Sequence, residues 1–253
     1  MTTNAPGGAV PHAAIPDPAN FEFAALSEAR NYRRALIREF QPELRGRVVE
    51  IGAGIGQFSV DLADTAGVAS VTSVEPDPVF CGQFRAARPL HDIVQGEARD
   101  LLNAGVWHTA VCVNVLEHIE DDAQELRVIR QLLEPGTGHL CLFVPARPEL
   151  YAPIDKDFGH FRRYRRAELR QKLSAAGFSI VRLHYFNWAG YFAWLLTFRI
   201  LKDRHFDAAR VRFFDRVVFP FVHSTERHLF RPPFGQSLLA VARANGSTAG
   251  QQR

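Results

Sequence analysis

The stretch Val48-Val49-Glu50-Ile51-Gly52-Ala53-Gly54-Ile55-Gly56-Gln57-Phe58 decides the fold. Its first half is an apolar run that ends at glycines, which is typical of a buried strand. Its second half begins a helix in which Phe58 and Leu62 lie one turn apart. A glycine-rich turn between a strand and a helix lets backbone N–H groups approach a ligand closely. The stretch therefore predicts the first strand–loop–helix unit of a ligand-binding α/β fold, with the ligand at the carboxyl end of the strand.

Strands and helices alternate along most of the chain. Apolar and period-two stretches predict strands at residues 47–52, 68–74, 92–95, 109–115, 138–145, 179–185 and 237–243. Helical spacing of apolar residues predicts helices at residues 21–40, 57–65, 78–87, 121–133 and 166–176. This alternation predicts a seven-stranded, mostly parallel sheet with helices on both faces.

An insertion at residues 186–236 interrupts the alternation before the last expected strand. It contains two amphipathic, aromatic-rich helices, expected at about 191–202 and 207–229. An insertion of this length is usually a functional cap or lid, although an oligomer interface or a simple cover for the sheet would show the same pattern. We expect one domain at 21–245 with this insertion as its helical cap, a disordered leader at 1–20 and a flexible tail at 246–253.

Composition excludes several classes of protein. The formal net charge of +3 is only weakly basic, which does not favour nucleic acid as a partner. No apolar run reaches the roughly 20 residues that span a bilayer, and residues 1–20 lack the pattern of a secretory signal. The three cysteines have no zinc-ligand spacing, nor do the histidines of the insertion, so we predict no metal site. We expect reduced core thiols in a cytoplasmic monomer or homodimer.

An acidic residue follows the second expected strand. Glu75 lies about 20 residues beyond the glycines, where a carboxylate can accept both hydroxyls of a ribose. A dinucleotide fingerprint also needs a third glycine at position 57, which is Gln57 here. The tighter spacing of Gly52, Gly54 and Gly56 fits a nucleoside that carries an amino-acid tail and disfavours NAD.

Four blocks of the sequence resemble motifs of class I S-adenosylmethionine (SAM)-dependent methyltransferases, in order and in spacing. The glycine stretch looks like their motif I, and Val74-Glu75-Pro76-Asp77 is similar to their ribose-binding acidic motif. Gln95-Gly96-Glu97-Ala98-Arg99-Asp100-Leu101 resembles the segment beside the adenine. Val113-Asn114-Val115-Leu116-Glu117-His118-Ile119 resembles the block after strand four in small-molecule methyltransferases. The resemblance covers residues 45–145 and implies the Rossmann-like class I methyltransferase fold.

The resemblance also implies the cofactor and its site. The cofactor would be SAM, and its product S-adenosyl-L-homocysteine (SAH). The implied cofactor-binding residues are Glu50, Gly52, Ala53, Gly54, Gly56, Gln57, Phe58, Glu75, Pro76, Gly96, Glu97, Ala98, Asn114, Val115 and Leu116. In this set Glu50 orients the amino group, directly or through water, Glu75 holds the ribose, and Asn114 offers a carbonyl near the ammonium.

The segment 151–164 follows the fifth strand and so belongs to the cofactor side of the sheet. It resembles a segment of a bacterial subgroup of these methyltransferases, as does Pro233-Phe234-Gly235-Gln236-Ser237. Together with the start of the insertion it supplies the expected substrate-binding residues Tyr151, Asp155, His160, Arg163, Tyr164, Asn187, Trp188 and Tyr191.

Four arginines, at positions 162, 163, 165 and 166, crowd the start of an expected helix. Cations there oppose the helix dipole, so some need anionic partners. Asp155, Asp157 and Glu168 could supply them, and a carboxylate or phosphate of the substrate is the alternative.

His118 and His160 are the histidines expected near the reacting centre. Methyl transfer from a sulfonium depends mostly on positioning, and a base helps if the acceptor is a hydroxyl. A histidine suits that task, so both are candidate catalytic residues. In the structural alternative, His118 braces the following helix and His160 hydrogen-bonds Asp155.

The sequence favours one function and leaves others open. The leading interpretation is methyl transfer from SAM to a small-molecule acceptor that is lipophilic or anionic. The aromatic residues of the insertion could line an apolar substrate pocket, and its arginines would also suit peripheral contact with an anionic membrane. The alternatives are SAM-dependent cyclisation, other non-methylating SAM chemistry, or a non-catalytic SAM-binding partner. Base methylation in nucleic acid is disfavoured because no Asn/Asp-Pro-Pro-aromatic motif follows strand four.

Overall fold

A computed structural model describes residues 28–203 and 207–246. The expected leader at 1–20, the first part of the expected helix at 21–40, and the tail beyond Gly246 lie outside the described residues. The helix that is described there, α1, spans Arg30–Phe40.

The described chain forms one seven-stranded sheet. Its strands are β1 (Gly46–Ile51), β2 (Val68–Glu75), β3 (Ile93–Gln95), β4 (Thr109–Val113), β5 (His139–Pro145), β6 (Phe178–Phe186) and β7 (Ser237–Ala244). Their order across the sheet is β3-β2-β1-β4-β5-β7-β6. Only β7 runs antiparallel to its neighbours, β5 and β6. The expected strands and the mostly parallel sheet are confirmed, with bounds shifted by one or two residues.

The helices of the alternating part are α2 (Gln57–Ala63), α3 (Pro78–Ala87), α4 (Asp122–Leu132), α5 (Pro153–Asp157) and α6 (Arg166–Ala175). The insertion forms α7 (Trp188–Trp194), which continues as a π-helix over Leu195–Ile200, and then α8 (Ala208–Phe213), a π-helical segment over Phe214–Val218, and α9 (Phe219–His228). The two expected insertion helices are therefore present, and the first begins three residues earlier than its apolar pattern indicated. The short helix α5 was missed because five residues carry too little periodicity.

Two apolar layers cover the sheet. One contains the buried sides of α4 and α6, and the other contains α1, α2 and Phe219 of α9. Phe40, Leu62, Phe219 and Ile129 are almost fully buried, and each such side chain contributes about 1.5–3 kcal/mol by leaving water. A third, smaller cluster joins Trp194 and Phe198 of the insertion to the segment after β5. The insertion thus packs as part of the core, over the carboxyl ends of β4 and β5.

The three cysteines are buried thiols, as expected for core residues. Within the described ranges, none of the helices has both the length and the apolar character needed to cross a bilayer.

Candidate functional site

The turn between β1 and α2 depends on glycine. Gly52 has φ +69°, and a Cβ added there would lie 2.4 Å from Cγ2 of Val115. Gly56 has φ +78°, and its Cβ would lie 2.5 Å from the ring of Phe84. Because glycine tolerates this left-handed backbone and needs no side-chain space, the loop can lie directly against the segment that follows β4.

Glu75 joins this loop to the next one. It lies at the end of β2, is 7% exposed, and accepts hydrogen bonds from the backbone N–H of Gly54 at 2.9 Å and of Asp77 at 3.0 Å. Burial raises the pKa of the Glu75 carboxyl, and the two N–H donors oppose that rise. Each carboxylate oxygen keeps a second lone pair, so the side chain can accept ribose hydroxyls while it braces the loop.

Glu50 lies beneath the same loop. Its Oε2 accepts hydrogen bonds from the hydroxyls of Ser59 and, at 3.1 Å, Ser73. Burial raises the pKa of Glu50 to about 7, against the lowering effect of these hydroxyls. A carboxylate held ready to ionise near neutral pH is suited to receive an ammonium group.

A small cavity of about 70 Å³ lies beside the glycine loop. It is lined by Glu50, Gly52, Ala53, Gln57, Phe58 and Asn114 among others. The expected cofactor fits these residues, because Glu50 offers a carboxylate to its ammonium group and Gly52 lines the cavity without a side chain. Gly96, Glu97 and Ala98 follow β3, where Ala98 is buried and Glu97 is exposed and paired with Arg99 at 2.7 Å.

A larger cavity of about 290 Å³ adjoins the small one. Tyr32 and Asn114 line both, so they mark the junction between the two. Asn114 has φ +53°, a backbone conformation that asparagine tolerates better than most residues. The walls of the larger cavity are mainly apolar, and their aromatic side chains from β5, the segment after it and the insertion are Phe143, Phe158, Trp194, Phe198 and Phe214.

The segment after β5 folds back onto the segment after β4. The N–H of Phe161 donates to the carbonyl of Glu117 at 2.8 Å, and the hydroxyl of Tyr164 donates to the carbonyl of Leu116 at 3.1 Å. The Tyr164 hydroxyl also bonds Asp122 at 2.9 Å. These contacts bring His160 beside His118, with ring centroids 4.6 Å apart in an edge-on arrangement.

Asp155 organises this corner. Its Oδ1 bonds Nδ1 of His160 at 3.0 Å and Nε of Arg163 at 2.7 Å, and its Oδ2 accepts the backbone N–H of Ala152 at 2.9 Å. Arg163 also lies over the ring of Trp194, 4.3 Å from its centroid. Burial would raise the pKa of Asp155, but His160 and Arg163 outweigh it and hold that pKa below its usual value.

The expected partners of the arginines are confirmed in part. Asp155 holds Arg163, as one alternative required. Arg162 pairs instead with Asp122 at 2.9 Å, a partner that sequence spacing could not reveal because it lies on α4. The expected hydrogen bond between His160 and Asp155 is also present.

His118 is mostly buried, and it hydrogen-bonds the backbone of Phe158. Burial, together with His160, lowers its pKa to about 4. At pH 7 its imidazole is therefore neutral and a weaker base than an exposed histidine. It is adjacent to Glu117, whose side chain is fully buried and lines the larger cavity.

The expected substrate-binding residues divide into two groups. His160, Arg163 and Asn187 line the larger cavity. The others lie behind its wall or beside it: Tyr151, Asp155, Tyr164, Trp188 and Tyr191 are absent from the lining. Asn187 uses its amide within the fold, since Oδ1 accepts from Gly190 N at 2.9 Å and Nδ2 donates to Gln236 at 2.9 Å.

Sequence reasoning missed Tyr32 and the acidic residues of the insertion. The hydroxyl of Tyr32 bonds Ser237 and Asn187, and burial raises its pKa. Asp215 caps α1 through the N–H groups of Asn31 at 3.0 Å and Tyr32 at 2.9 Å. The available signal was a tyrosine on the apolar face of α1, where a phenol needs a buried partner.

The comparisons with known proteins decide the class. A model of the methyltransferase-domain family matches residues 24–183, which is more than half of the chain. The chain belongs to this family. The Rossmann-like class I methyltransferase fold implied by the resemblance is thereby confirmed, with SAM as the cofactor of the methyltransferase domain.

An uncharacterised protein of Mycobacterium tuberculosis is 30% identical over 106 residues, 37% of this chain and 35% of that protein. The chain thus matches about a third of the length of this curated relative.

Solved structures share the fold at low identity. A Haloferax volcanii complex between the Trm112 methyltransferase activator and a methyltransferase gives a TM-score of 0.60 at 18% identity, covering 90% of this chain and 96% of that one. A SAM-dependent methyltransferase from Mesorhizobium loti gives a TM-score of 0.55 at 21% identity, covering 84% of this chain and 95% of that one. The [4+2]-cyclase SpnF gives a TM-score of 0.55 at 17% identity, covering 86% of this chain and 82% of that one.

Glu50 predicts an unusual dependence of stability on pH. Because its pKa is about 7 in the folded protein and about 4.5 in the unfolded chain, its ionisation costs nothing below pH 4.5 and destabilises the fold progressively up to pH 7. Each pKa unit corresponds to about 1.4 kcal/mol. Between pH 4.5 and 8 the free energy of unfolding of the wild type should therefore fall by about 3 kcal/mol more than that of Glu50→Gln. Urea unfolding of both proteins across this range checks it, and parallel pH profiles would contradict it.

Proposed function

We propose that this methyltransferase acts on a small, lipophilic acceptor that binds in the larger cavity. The observation that carries the proposal is the junction at Tyr32 and Asn114, which both cavities share. The glycine loop, which Glu75 braces through the N–H of Gly54, borders one side of this junction, and the aromatic walls of the larger cavity border the other. A cavity of about 290 Å³ is at the small end of the range for small-molecule sites.

Different residues of the chain bind the cofactor and position the acceptor. Glu75 and Glu50 hold the ribose and the amino group, while the glycine turn lets backbone approach the cofactor. When bound, SAM supplies an electrophilic methyl group for in-line displacement by the acceptor. The aromatic walls exclude water and orient the acceptor, and such positioning supplies most of the rate. His160 lines the cavity and His118 lies against it, with ring centroids 4.6 Å apart, so they remain our candidate catalytic residues.

The cyclisation suggested as an alternative has only the shared fold of the cyclase in its favour, and we do not propose it. A cytoplasmic location and a monomeric or dimeric state stay predictions.

Filling the larger cavity tests the acceptor site. Thr197 lines the cavity on the inner side of the first insertion helix, so Thr197→Trp should block the acceptor and lower methyl transfer by about 100-fold or more. SAH affinity measured by calorimetry should be unchanged, because the glycine loop is untouched. The assay follows the label of radioactive SAM into the small-molecule fraction of an extract of the source cells.

Val181→Trp is the control, since Val181 on β6 is 48% exposed and can accept a larger side chain in solvent. Label that enters protein or nucleic acid instead of small molecules would contradict the proposed acceptor class. Undiminished transfer by a folded Thr197→Trp would contradict the proposed site.

The outer face of the insertion is suited to contact with a membrane, from which a lipophilic acceptor could enter the cavity. On the first helix Phe192, Leu196 and Ile200 are exposed at a spacing of four residues, by 51%, 55% and 60%. On the second helix Phe213, Val217 and Phe221 repeat the pattern, by 63%, 58% and 69%. Exposed basic side chains accompany these two stripes: Arg199, Lys202, Arg210, Arg216 and Arg227.

Apolar side chains with adjacent cations are suited to the interface of an anionic bilayer, so we propose that this face contacts one. The protein should sediment with vesicles that contain phosphatidylglycerol and remain in the supernatant with phosphatidylcholine alone. Replacement of Phe192, Phe213 and Phe221 by serine should abolish sedimentation. The control replaces Val79 and Leu90, which are exposed elsewhere. Equal sedimentation of both variants, or none of the wild type, would contradict the contact.

A further inference from the structure

One cluster of metal-ligating side chains borders the acceptor cavity. Glu117, His118 and His160 each present one ligand atom, and these three atoms all lie within 4.8 Å of one another. Glu117 is fully buried and His160 is 7% exposed. The residues come from two separate segments, one after β4 and one after β5, so no short sequence spacing could reveal the cluster.

We propose that Glu117, His118 and His160 bind a divalent transition-metal ion that contacts the acceptor. Two imidazoles and one carboxylate are ligands that suit zinc, iron, manganese or cobalt. This proposal departs from the prediction of no metal site, which considered only the cysteines and the histidines of the insertion. The role of the ion in turnover rests on the proposed function, whereas metal binding itself does not.

The surroundings of the two histidines match those of metal ligands. A metal-bound histidine almost always donates its other ring N–H to a carboxylate or a backbone carbonyl. Nδ1 of His160 bonds the carboxylate of Asp155 at 3.0 Å, which leaves Nε2 as the ligating atom. His118 hydrogen-bonds the backbone of Phe158, and its Nδ1 is the nitrogen on the side of Gly159. Both rings are thus oriented by partners outside the cluster.

A buried cation lies beside the cluster. The guanidinium of Arg163, which interacts with Glu117, is held by Asp155 at 2.7 Å and by the carbonyl of Ala146 at 3.3 Å. Trp194 covers its face. Asp155 therefore anchors this guanidinium beside the cluster, and Glu117 supplies the one carboxylate among the three ligating groups.

Three protein ligands leave at least one coordination position open, as in catalytic metal sites. Glu117 and His160 line the larger cavity, so the open position faces the acceptor. An acceptor hydroxyl bound there would form an oxygen–metal bond and release its proton to water more readily, because a bound cation lowers the pKa of a coordinated O–H group. The acceptor class is therefore a hydroxyl compound.

Cobalt(II) titration of tag-free, EDTA-treated protein tests the site. We expect one equivalent to bind with visible ligand-field absorption. Glu117→Gln and His160→Gln should each weaken binding at least tenfold, and the variant with His118 and His160 both replaced by glutamine should show none. His139→Gln is the matched control, since it removes a half-buried imidazole on β5, away from the cluster. Absence of binding by the wild type, or equal binding by all variants, overturns the proposal.

Two further measurements on the wild type test the site even where the variants do not fold. X-ray absorption of the zinc-loaded wild type should show two imidazoles and oxygen ligands, and sulfur ligation would overturn the assignment. Zinc at 100 times its dissociation constant should also stabilise the wild type, by mass action on the folded state. Neither measurement needs an acceptor or SAM, so failure of the metal site is distinguishable from failure of the proposed function.

Discussion

Glu75→Ala is expected to weaken binding of SAH by about 100-fold or more. The side chain is proposed to accept both ribose hydroxyls, and hydrogen bonds to a charged group contribute about 1.5–3 kcal/mol each. Loss of two such bonds is at least two powers of ten in affinity. The substitution also removes the bonds to Gly54 and Asp77 that brace the loop, which adds to the loss. Calorimetric titration with SAH measures it directly.

Asp77→Ala is the matched control for this variant. Asp77 lies two residues further on and caps α3 by accepting from Val79 N at 2.7 Å. Its loss should cost about 1 kcal/mol of stability and leave SAH affinity within a few-fold of wild type. An affinity of Glu75→Ala equal to that of Asp77→Ala would refute the ribose role.

The sheet and the cofactor loop are predictable from the sequence because their signals are local. Strand periodicity, the glycines and the acid at the end of β2 lie within short windows, and each feature has a direct steric or hydrogen-bonding cause. The prohibition on a side chain at Gly52 illustrates this, since it follows from the turn itself. The turn alone does not reveal which atom a side chain at Gly52 would clash with. That atom is Cγ2 of Val115, in the segment after β4.

The acceptor side could be predicted only in part, because its residues meet through long-range contacts. His118 and His160 were recognised individually, but their edge-on contact depends on the backbone bond from Phe161 to Glu117. Tyr32 falls within the helix expected at 21–40, but its place at the site was missed because it depends on the cap that Asp215 of the insertion provides for α1. Such contacts join positions more than 180 residues apart, where spacing carries no information.

The insertion is more integrated than a sequence-based lid suggests. Phe219 and Val222 are each 1% exposed, and Glu226 accepts the N–H groups of Asn187 at 3.1 Å and Trp188 at 2.7 Å. Deleting the insertion would uncover one apolar layer of the sheet and remove the cap of α1. Point substitutions such as Thr197→Trp therefore separate substrate access from folding where a deletion cannot.

Asp155→Ala is expected to destabilise the protein by about 3–5 kcal/mol, since it leaves the guanidinium of Arg163 buried without its carboxylate. The Arg163 side chain is 1% exposed and that of Asp155 is 0% exposed, so water cannot replace the lost partner. Because the pKa of Asp155 is lowered in the folded state, its contribution is present above the unfolded pKa and is lost as pH falls through the folded value. Urea unfolding at pH 7 measures the difference from wild type.

The matched control is Asp157→Ala, which removes an exposed carboxylate from the same short helix and should change stability by about 0.5 kcal/mol or less. A double variant that also carries Arg163→Met should recover part of the loss, because removing both charges ends the penalty of the unpaired cation. Strict additivity of the two substitutions would show that the pair does not act as a unit. In that case the position of His160 could not be attributed to the Asp155–Arg163 pair, and the corner of the acceptor site would have to be held by the backbone bonds of Phe161 and Tyr164 alone.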